Sequence, residues 1–134
     1  MHMLEDGRVY EDLQEFTYQA SYASDRAIAT KREAVVRTLA TYGKLYRFLG
    51  EAKSREPFVK AFATATGKAN REEAEAQWQF YQDHKPFAVD LVLSEQRVRY
   101  MQDLNVSLGV QKGVLPYERV CDVSLARDAV KLLG

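Results

Sequence analysis

The spacing of apolar and polar residues changes near residue 25. Before that point, between residues 16 and 24, apolar and polar positions alternate, which is typical of a β-strand. The alternating apolar positions are Phe16, Tyr18, Ala20 and Tyr22. The sequence therefore predicts a strand across residues 14–24, and a lone strand would leave a row of backbone donors and acceptors without partners.

From about Arg32 onward, apolar residues recur at steps of three and four, as they do on one face of a helix. The first and most regular such face contains Val35, Leu39, Tyr42, Tyr46 and Leu49. Ser24 or Asp25 is expected to cap a short helical turn in front of it. The sequence predicts one long helix here.

Further helices are predicted from their start and stop signals. Pro57 suits a first helical turn, Asn70 with Glu73 resembles a capping box, and Ser94 is a plausible N-cap. Gly109 is expected to end the fourth helix, residues 110–123 to form a structured loop, and Ser124 to cap a last helix over residues 125–133. The predicted organisation is an irregular lead and tag remnant over residues 1–13, followed by a single helical segment over residues 14–134 with its N-terminal strand.

Composition restricts the classes of function. The 134 residues allow one domain with a core, and 19 basic and 19 acidic side chains cancel, so nucleic acid is a disfavoured partner. One cysteine, Cys121, excludes an internal disulfide and a zinc set, and we expect neither metal nor cofactor. No apolar run is long enough to insert in a membrane, and the N-terminus lacks the layout of a signal peptide.

The candidates for catalysis are few, and we predict that the protein is not an enzyme. His84 follows Asp83 directly, so a helix would point the two side chains about 100° apart, and a helix end favours a cationic histidine for structural reasons. Cys121 has no histidine near it in the sequence and has the apolar residues Val120 and Val123 close by, a setting that does not favour a thiolate. Thr66-Gly67-Lys68 matches only the tail of a phosphate-binding loop.

The strand end offers a ligand site of polar and aromatic groups. Tyr22, Ser24 and Asp25 would meet there, where a small solute can contact them. For Tyr18 and Tyr22, burial in a sheet core is the favoured interpretation.

Two long stretches resemble a known family: FTYQASYASDRAIATKREAVVRTLATYGKLYRFL and RYMQDLNVSLGVQKGVLPYERVCDVSLARDAVKLLG. Together they are similar to the C-terminal part of ABC-transporter substrate-binding proteins of the NitT/TauT type, also called NMT1/THI5-like. The residues that match the family pattern are Ser24, Ile28, Glu33, Ala34, Val35, Asp122, Ser124 and Gly134. Ala27 and Arg32 depart from it, standing where the family usually has an aromatic residue and a proline.

The resemblance implies a type II periplasmic-binding-protein fold with two α/β lobes. This chain would be the C-terminal segment of the first lobe, mainly α-helical with one or two N-terminal β-strands. The parent would be a periplasmic or extracellular bacterial protein that binds a small organic or anionic nutrient and delivers it to an ABC permease. Family ligands include nitrate, taurine, other sulfonates and thiamine pyrimidine precursors; ligand contacts carry over to Tyr22, Ser24 and Asp25.

Alternative functions remain open. A small helical module could present the Tyr42, Tyr46 and Leu49 face to a protein partner, and a signalling protein could use the same domain to sense a ligand. An enzyme built on His84 or Cys121 ranks third. Independently of the ligand, an unpaired strand edge predicts a homodimer or domain-swapped assembly through residues 14–24.

Overall fold

A computed structural model describes residues 15–17, 19–67 and 70–134, and every regular element among them is helical. The helices are α1 (Asp25–Leu49), α2 (Arg55–Thr66), α3 (Arg71–His84), α4 (Glu95–Ser107), α5 (Tyr117–Val120) and α6 (Val123–Lys131). A single 3-10 turn, Ala52–Ser54, joins α1 to α2.

The predicted N-terminal strand is wrong. Residues 15–17 and 19–24 contain no strand, and the described part of the chain contains no sheet. An alternating sequence forms a strand only where a neighbouring strand can pair with its backbone, and here the neighbours are helices. Tyr22 is 98% exposed, so it does not lie in a sheet core. Tyr18 and the predicted lead over residues 1–13 lie outside the described residues.

The expectation of a type II periplasmic-binding-protein lobe is therefore wrong too. Such a lobe is built on a sheet with helices on its faces, whereas helix packs only on helix in the described residues. The α-helical share of the predicted fold class agrees with the structure, and its one or two β-strands do not.

Helix α1 begins where its sequence supplies a cap. The Ser24 hydroxyl accepts a hydrogen bond from the amide of Ala27 at 3.2 Å, which satisfies one of the free donors of the first turn. The backbone leaves helical geometry at Lys31, where φ is −137° and ψ is 31°. This kink explains why the helical pattern of the sequence becomes regular only from Arg32.

Helix α6 packs along α1 and forms the main apolar core. Val36 and Ala40 of α1 meet Leu125 and Ala129 of α6, and all four side chains are buried. At Gly43 the approach is close: an added Cβ would lie 2.7 Å from Cδ1 of Leu133. Small residues on both helices therefore allow their backbones to come near.

The N-cap of α6 is Asp122 rather than the predicted Ser124. The Asp122 carboxylate accepts the amide of Ser124 at 3.0 Å, and the Ser124 hydroxyl donates to the same oxygen at 2.5 Å. Both residue types are good caps, so the sequence alone could not choose between two candidates that lie two positions apart.

A polar clamp joins the outer edge of α1 to the start of α6. The Arg32 guanidinium donates to Ser124 Oγ at 2.9 Å and to Asp128 Oδ2 at 2.9 Å, and it lies 3.5 Å from Asp122 Oδ2. The Ser124 hydrogen bonds and then Arg32 lower the pKa of Asp122. The pKa of Asp128 is also lowered, mainly by its hydrogen bond with Arg32 and next by its hydrogen bond with Lys131.

Helices α2 and α3 form a second unit, an antiparallel pair fixed by charge and aromatic contacts. Arg71 of α3 pairs with Glu56 of α2 at 2.5 Å, and Arg55 of α2 pairs with Glu75 of α3 at 3.2 Å. The rings of Phe58 and Tyr81 meet edge to face, with centroids 5.6 Å apart.

One buried serine connects this pair to α1. Ser54 is fully buried; its hydroxyl donates to the Leu49 carbonyl oxygen at 3.1 Å and accepts from Trp78 Nε1 at 2.9 Å. Gln82 Nε2 donates to the same Leu49 oxygen at 2.7 Å. The last turn of α1 is thus tied to the 3-10 turn and to α3.

The clamp predicts how stability depends on pH. Because folding lowers the pKa of Asp122 and Asp128, their contribution is fully present above the unfolded value of about 3.9 and is lost as pH falls through the lower folded values. The free energy of unfolding should therefore fall less between about pH 4 and pH 2 in Arg32→Met than in the original chain, as measured by urea unfolding at each pH. Arg37→Met removes an exposed pair with Glu33 and is the matched control; equal pH profiles for the two variants would contradict the assignment.

Candidate functional site

The three residues predicted to contact a ligand lie at the start of α1. Ser24 is the N-cap and Asp25 lies in the first turn, where a carboxylate is favoured by the helix dipole. Tyr22 extends into solvent. The three line neither the groove described below nor the small pocket beside Glu56 and Arg71, and a solute contact at them stays a prediction.

The tyrosine face of α1 is largely used inside the fold. Leu49 is buried, and the ring of Tyr46 stacks on Phe87 with centroids 4.7 Å apart and planes 4° apart. Only Tyr42, 43% exposed, remains open to a partner on this face. This face of α1 therefore holds the segment after α3 in place, and little of the face remains exposed to a protein partner.

The two candidate catalytic side chains lie in different environments. His84 is exposed at the last position of α3, with its ring 4.6 Å from that of Phe80. Burial raises the pKa of the Cys121 thiol, and a hydrogen bond with Tyr117 opposes the shift. A raised pKa keeps the thiol protonated at neutral pH and disfavours nucleophilic chemistry.

An open apolar groove lies between α4 and the segment that follows it. Its volume is about 770 Å³. The apolar side chains of the groove are Leu93, Val98, Met101, Val114, Leu115 and Val120. Gln102 and Cys121 also line the groove, and Lys112 contributes a cationic side chain to its lining. We call this feature the α4 groove.

Gln102 holds the loop that forms one wall of the α4 groove. Its side-chain amide donates to the Leu115 carbonyl at 3.0 Å, and its oxygen accepts from the Leu115 amide at 2.8 Å. Gln111 Nε2 donates to the same Gln102 oxygen at 2.8 Å. A buried glutamine thus pairs with the backbone as a neighbouring strand would, and every polar atom of its amide group has a partner.

Tyr117 fixes the other wall. Its hydroxyl donates to the Leu93 carbonyl at 2.6 Å and so holds α5 against the residues before α4. Burial is the main cause of a raised pKa at Tyr117, with Cys121 and Glu95 as further causes. The hydroxyl therefore stays protonated and can keep donating this bond at neutral pH.

The segment before α1 reaches the groove from the opposite side. Thr17 and Ala20 line it. Glu15 accepts a hydrogen bond from Gln96 of α4 at 2.9 Å, and the Thr17 amide donates to Met101 Sδ at 3.5 Å. The Thr17 hydroxyl is buried without a hydrogen-bond partner in the described chain, which is an energetic cost.

Sequence reasoning did not find this groove. Residues 110–123 were expected to form a structured loop, and their apolar side chains had no helical period to mark a common surface. The available signal was Gln102, a polar residue next to Met101 on the buried side of α4, since such a residue must satisfy its hydrogen bonds within the protein. Lys112 follows Gln111 in the loop that Gln102 holds.

Comparisons of the chain with protein-family models, with curated proteins and with solved structures found no match. The resemblance to substrate-binding proteins is therefore a prediction that these comparisons leave as it was. Within the described ranges, no helix is long and apolar enough to cross a bilayer. Across those same residues, histidine, cysteine and acidic side chains form no group of three or more that could hold a metal ion.

Removing one hydrogen-bonding role of Gln102 should loosen the groove wall. Gln102→Glu keeps an acceptor for the Leu115 amide but loses the donor to the Leu115 carbonyl, and it places a charge in a buried position. We expect the free energy of unfolding to fall by roughly 1–3 kcal/mol. Hydrogen exchange at the Leu115 amide should become faster in this variant. Gln79→Glu, at an exposed position of α3, is the control and should leave the exchange rate of that amide unchanged. An unchanged rate in both variants would contradict the role of Gln102.

Proposed function

We propose that this chain is a non-catalytic helical binding module whose α4 groove accepts an apolar segment of another polypeptide. The observation that carries this proposal is an open apolar groove whose walls are held in place by buried polar contacts. Gln102 and Tyr117 make those contacts, and neither depends on anything bound in the groove.

The balance of burial supports a binding role. In the described part of the chain, no side chain larger than serine is fully buried. At the groove, Leu115 is 51% exposed and Val120 is 44% exposed. Fully burying an exposed large apolar side chain contributes about 1.5–3 kcal/mol. Because Leu115 and Val120 are already about half covered, a partner that covers the rest of both gains part of that free energy.

The openness of the groove favours a polypeptide over a small solute. Small-molecule sites bury roughly 70–90% of the ligand surface, and a groove open along one side covers less than that. A helical segment needs only its apolar face covered, because its backbone hydrogen bonds are made within the helix and its other face remains in water. The shape of the α4 groove is therefore better matched to a polypeptide face.

Solute binding for ABC-type uptake is the second candidate. The volume of about 770 Å³ falls within the range of roughly 300–1,000 Å³ that is usual for small-molecule sites. Lys112 lines the groove and forms no ion pair with the described residues, so its ammonium group is available to an anionic solute. An ABC permease would be the protein partner in this case, and a ligand-sensing role in a signalling protein would use the same groove.

Groove substitutions test the first candidate. A displayed library of random peptides, selected against the intact chain, should enrich apolar peptides. Leu115→Asp and Val120→Glu should weaken their binding at least about tenfold, since one lost apolar contact and one added charge together exceed 1.4 kcal/mol. Val89→Glu changes an exposed valine outside the groove and should bind as the original chain does. Enriched peptides that ignore the groove substitutions, or no enrichment, would refute the proposal.

Calorimetric titration tests the second candidate. Taurine, nitrate, an aliphatic sulfonate and a thiamine pyrimidine precursor would each be titrated into the chain. If the groove binds anions, Lys112→Ala should weaken binding about tenfold or more, while Lys53→Ala, an exposed lysine paired with Glu51, should not change it. Absence of heat for every solute, or equal binding by both variants, counts against solute uptake.

A further inference from the structure

Among the described residues, Glu15 and Thr17 attach the segment before α1 to helix α4. Glu15 meets Gln96 and, at 3.7 Å, Arg97, and the Thr17 amide meets Met101; all three partners belong to α4. Residues 21–24 are exposed and connect this seat to the start of α1. The segment is therefore a short arm that leaves α1 and rests on α4.

The backbone of the arm is open to further pairing. No hydrogen bond joins the backbone of residues 19–23 to any described residue. Tyr22, at 98% exposure, is the most exposed large apolar side chain in the described chain. The arm thus has backbone donors and acceptors without partners and an aromatic ring open to solvent. Its contacts with α4 of the same chain cover neither of them.

Helix α4 of a second copy of the chain can make the same contacts with the arm. An extended connection from Thr17 to Ser24 spans roughly 20–25 Å, which lets the arm reach α4 of a neighbour. The contacts of Glu15 and Thr17 with α4 would be identical in such an exchange, so their free energy is preserved. Two crossing arms would in addition pair their open backbones and cover Tyr22. The formal net charge of +0 means that two copies do not repel each other overall.

We propose that two copies of this chain exchange residues 15–24, so that Thr17 and Ala20 of one copy complete the α4 groove of the other. This inference goes beyond the proposed function, because the exchanged arm forms part of the lining of the α4 groove and leaves its apolar surface open to another polypeptide. It identifies the partner as a second copy of the chain and the interface as α4 together with the crossed arms. The strand prediction also placed self-association at this segment, on the ground of an unpaired strand edge. The exchange proposed here depends instead on the contacts of the arm with helix α4.

Disulfide trapping between differently marked copies tests the exchange. Cys121→Ser removes the native thiol; one copy then carries Glu15→Cys with an affinity tag, and the other carries Gln96→Cys without it. The two side chains they replace are joined at their ends by a 2.9 Å hydrogen bond. Cysteine is shorter than either, so the arm must move towards α4 before the thiols can bridge, and slow oxidation allows time for that movement. Both copies are unfolded together in urea, refolded, and oxidised slowly, and the disulfide is mapped by mass spectrometry.

Exchange predicts that the main covalent product joins tagged to untagged copies through positions 15 and 96. Replacing Gln96→Cys by Lys53→Cys, on the 3-10 turn, gives the background of random collisions, which the trapped product should exceed several-fold. A single chain that carries both Glu15→Cys and Gln96→Cys should give a covalent dimer closed by two disulfides. A monomer with one internal disulfide would overturn the proposal, and so would a mixed product at the background level.

These outcomes are separate from those of the peptide selection. An internal disulfide would show that the arm seats on its own α4, whether or not apolar peptides bind in the groove. Loss of groove-dependent peptide binding would refute the proposed function, whether or not the thiols bridge between copies. Circular dichroism of each cysteine variant confirms that the helices are intact before either result is interpreted.

Discussion

The arrangement of helices depends on the hydrogen bonds that reach the carbonyl oxygen of Leu49. The last carbonyls of any helix lack partners within the helix. Here Ser54 and Gln82 both donate to one of them, and Trp78 donates to Ser54 in turn. These bonds fix the angle at which the α2 and α3 pair leaves the end of α1, in a fold whose apolar contacts alone are too sparse to set it.

The rest of the molecule is organised along α1. One side of the helix receives α6 through small apolar residues such as Ala40 and Ala129, with Arg32 closing the edge. Among the described residues no bulky side chain is fully buried, and close backbone approach compensates for this in part, because contact area grows as helices come nearer. The α4 groove lies outside both of these contacts. Its walls are held by Gln102 and Tyr117, which bond to backbone groups and leave the apolar surface free.

Helix positions could be predicted from the sequence because the signals that set them are local. Asn70 caps α3 and Ser94 caps α4, as expected from residue type and from the residues that follow them. Gly67 ends α2 in the left-handed conformation that glycine favours. The alternating segment failed as a strand because alternation specifies only which side is apolar; pairing requires a neighbour that the local sequence does not specify.

The site could not be predicted for a related reason. The α4 groove joins residues 17 and 20 to residues 93–121, and no periodic pattern links positions so far apart along the chain. Tyr22, Ser24 and Asp25 were chosen because a strand end collects polar groups, and with no strand that reason disappears. Ser24 instead serves as a helix cap, which is the common role of a serine just before a helical run.

Trp78, the single tryptophan, has a consequence for how the protein is observed in solution. Its indole reports on the junction with Ser54, and it does not line the α4 groove. Fluorescence excited selectively at the tryptophan therefore follows the separation of α3 from α1 and does not report directly on events at α4. An optical melting curve and a probe placed near Leu115 describe different parts of the molecule. If their midpoints differ, the two parts unfold as separate cooperative units.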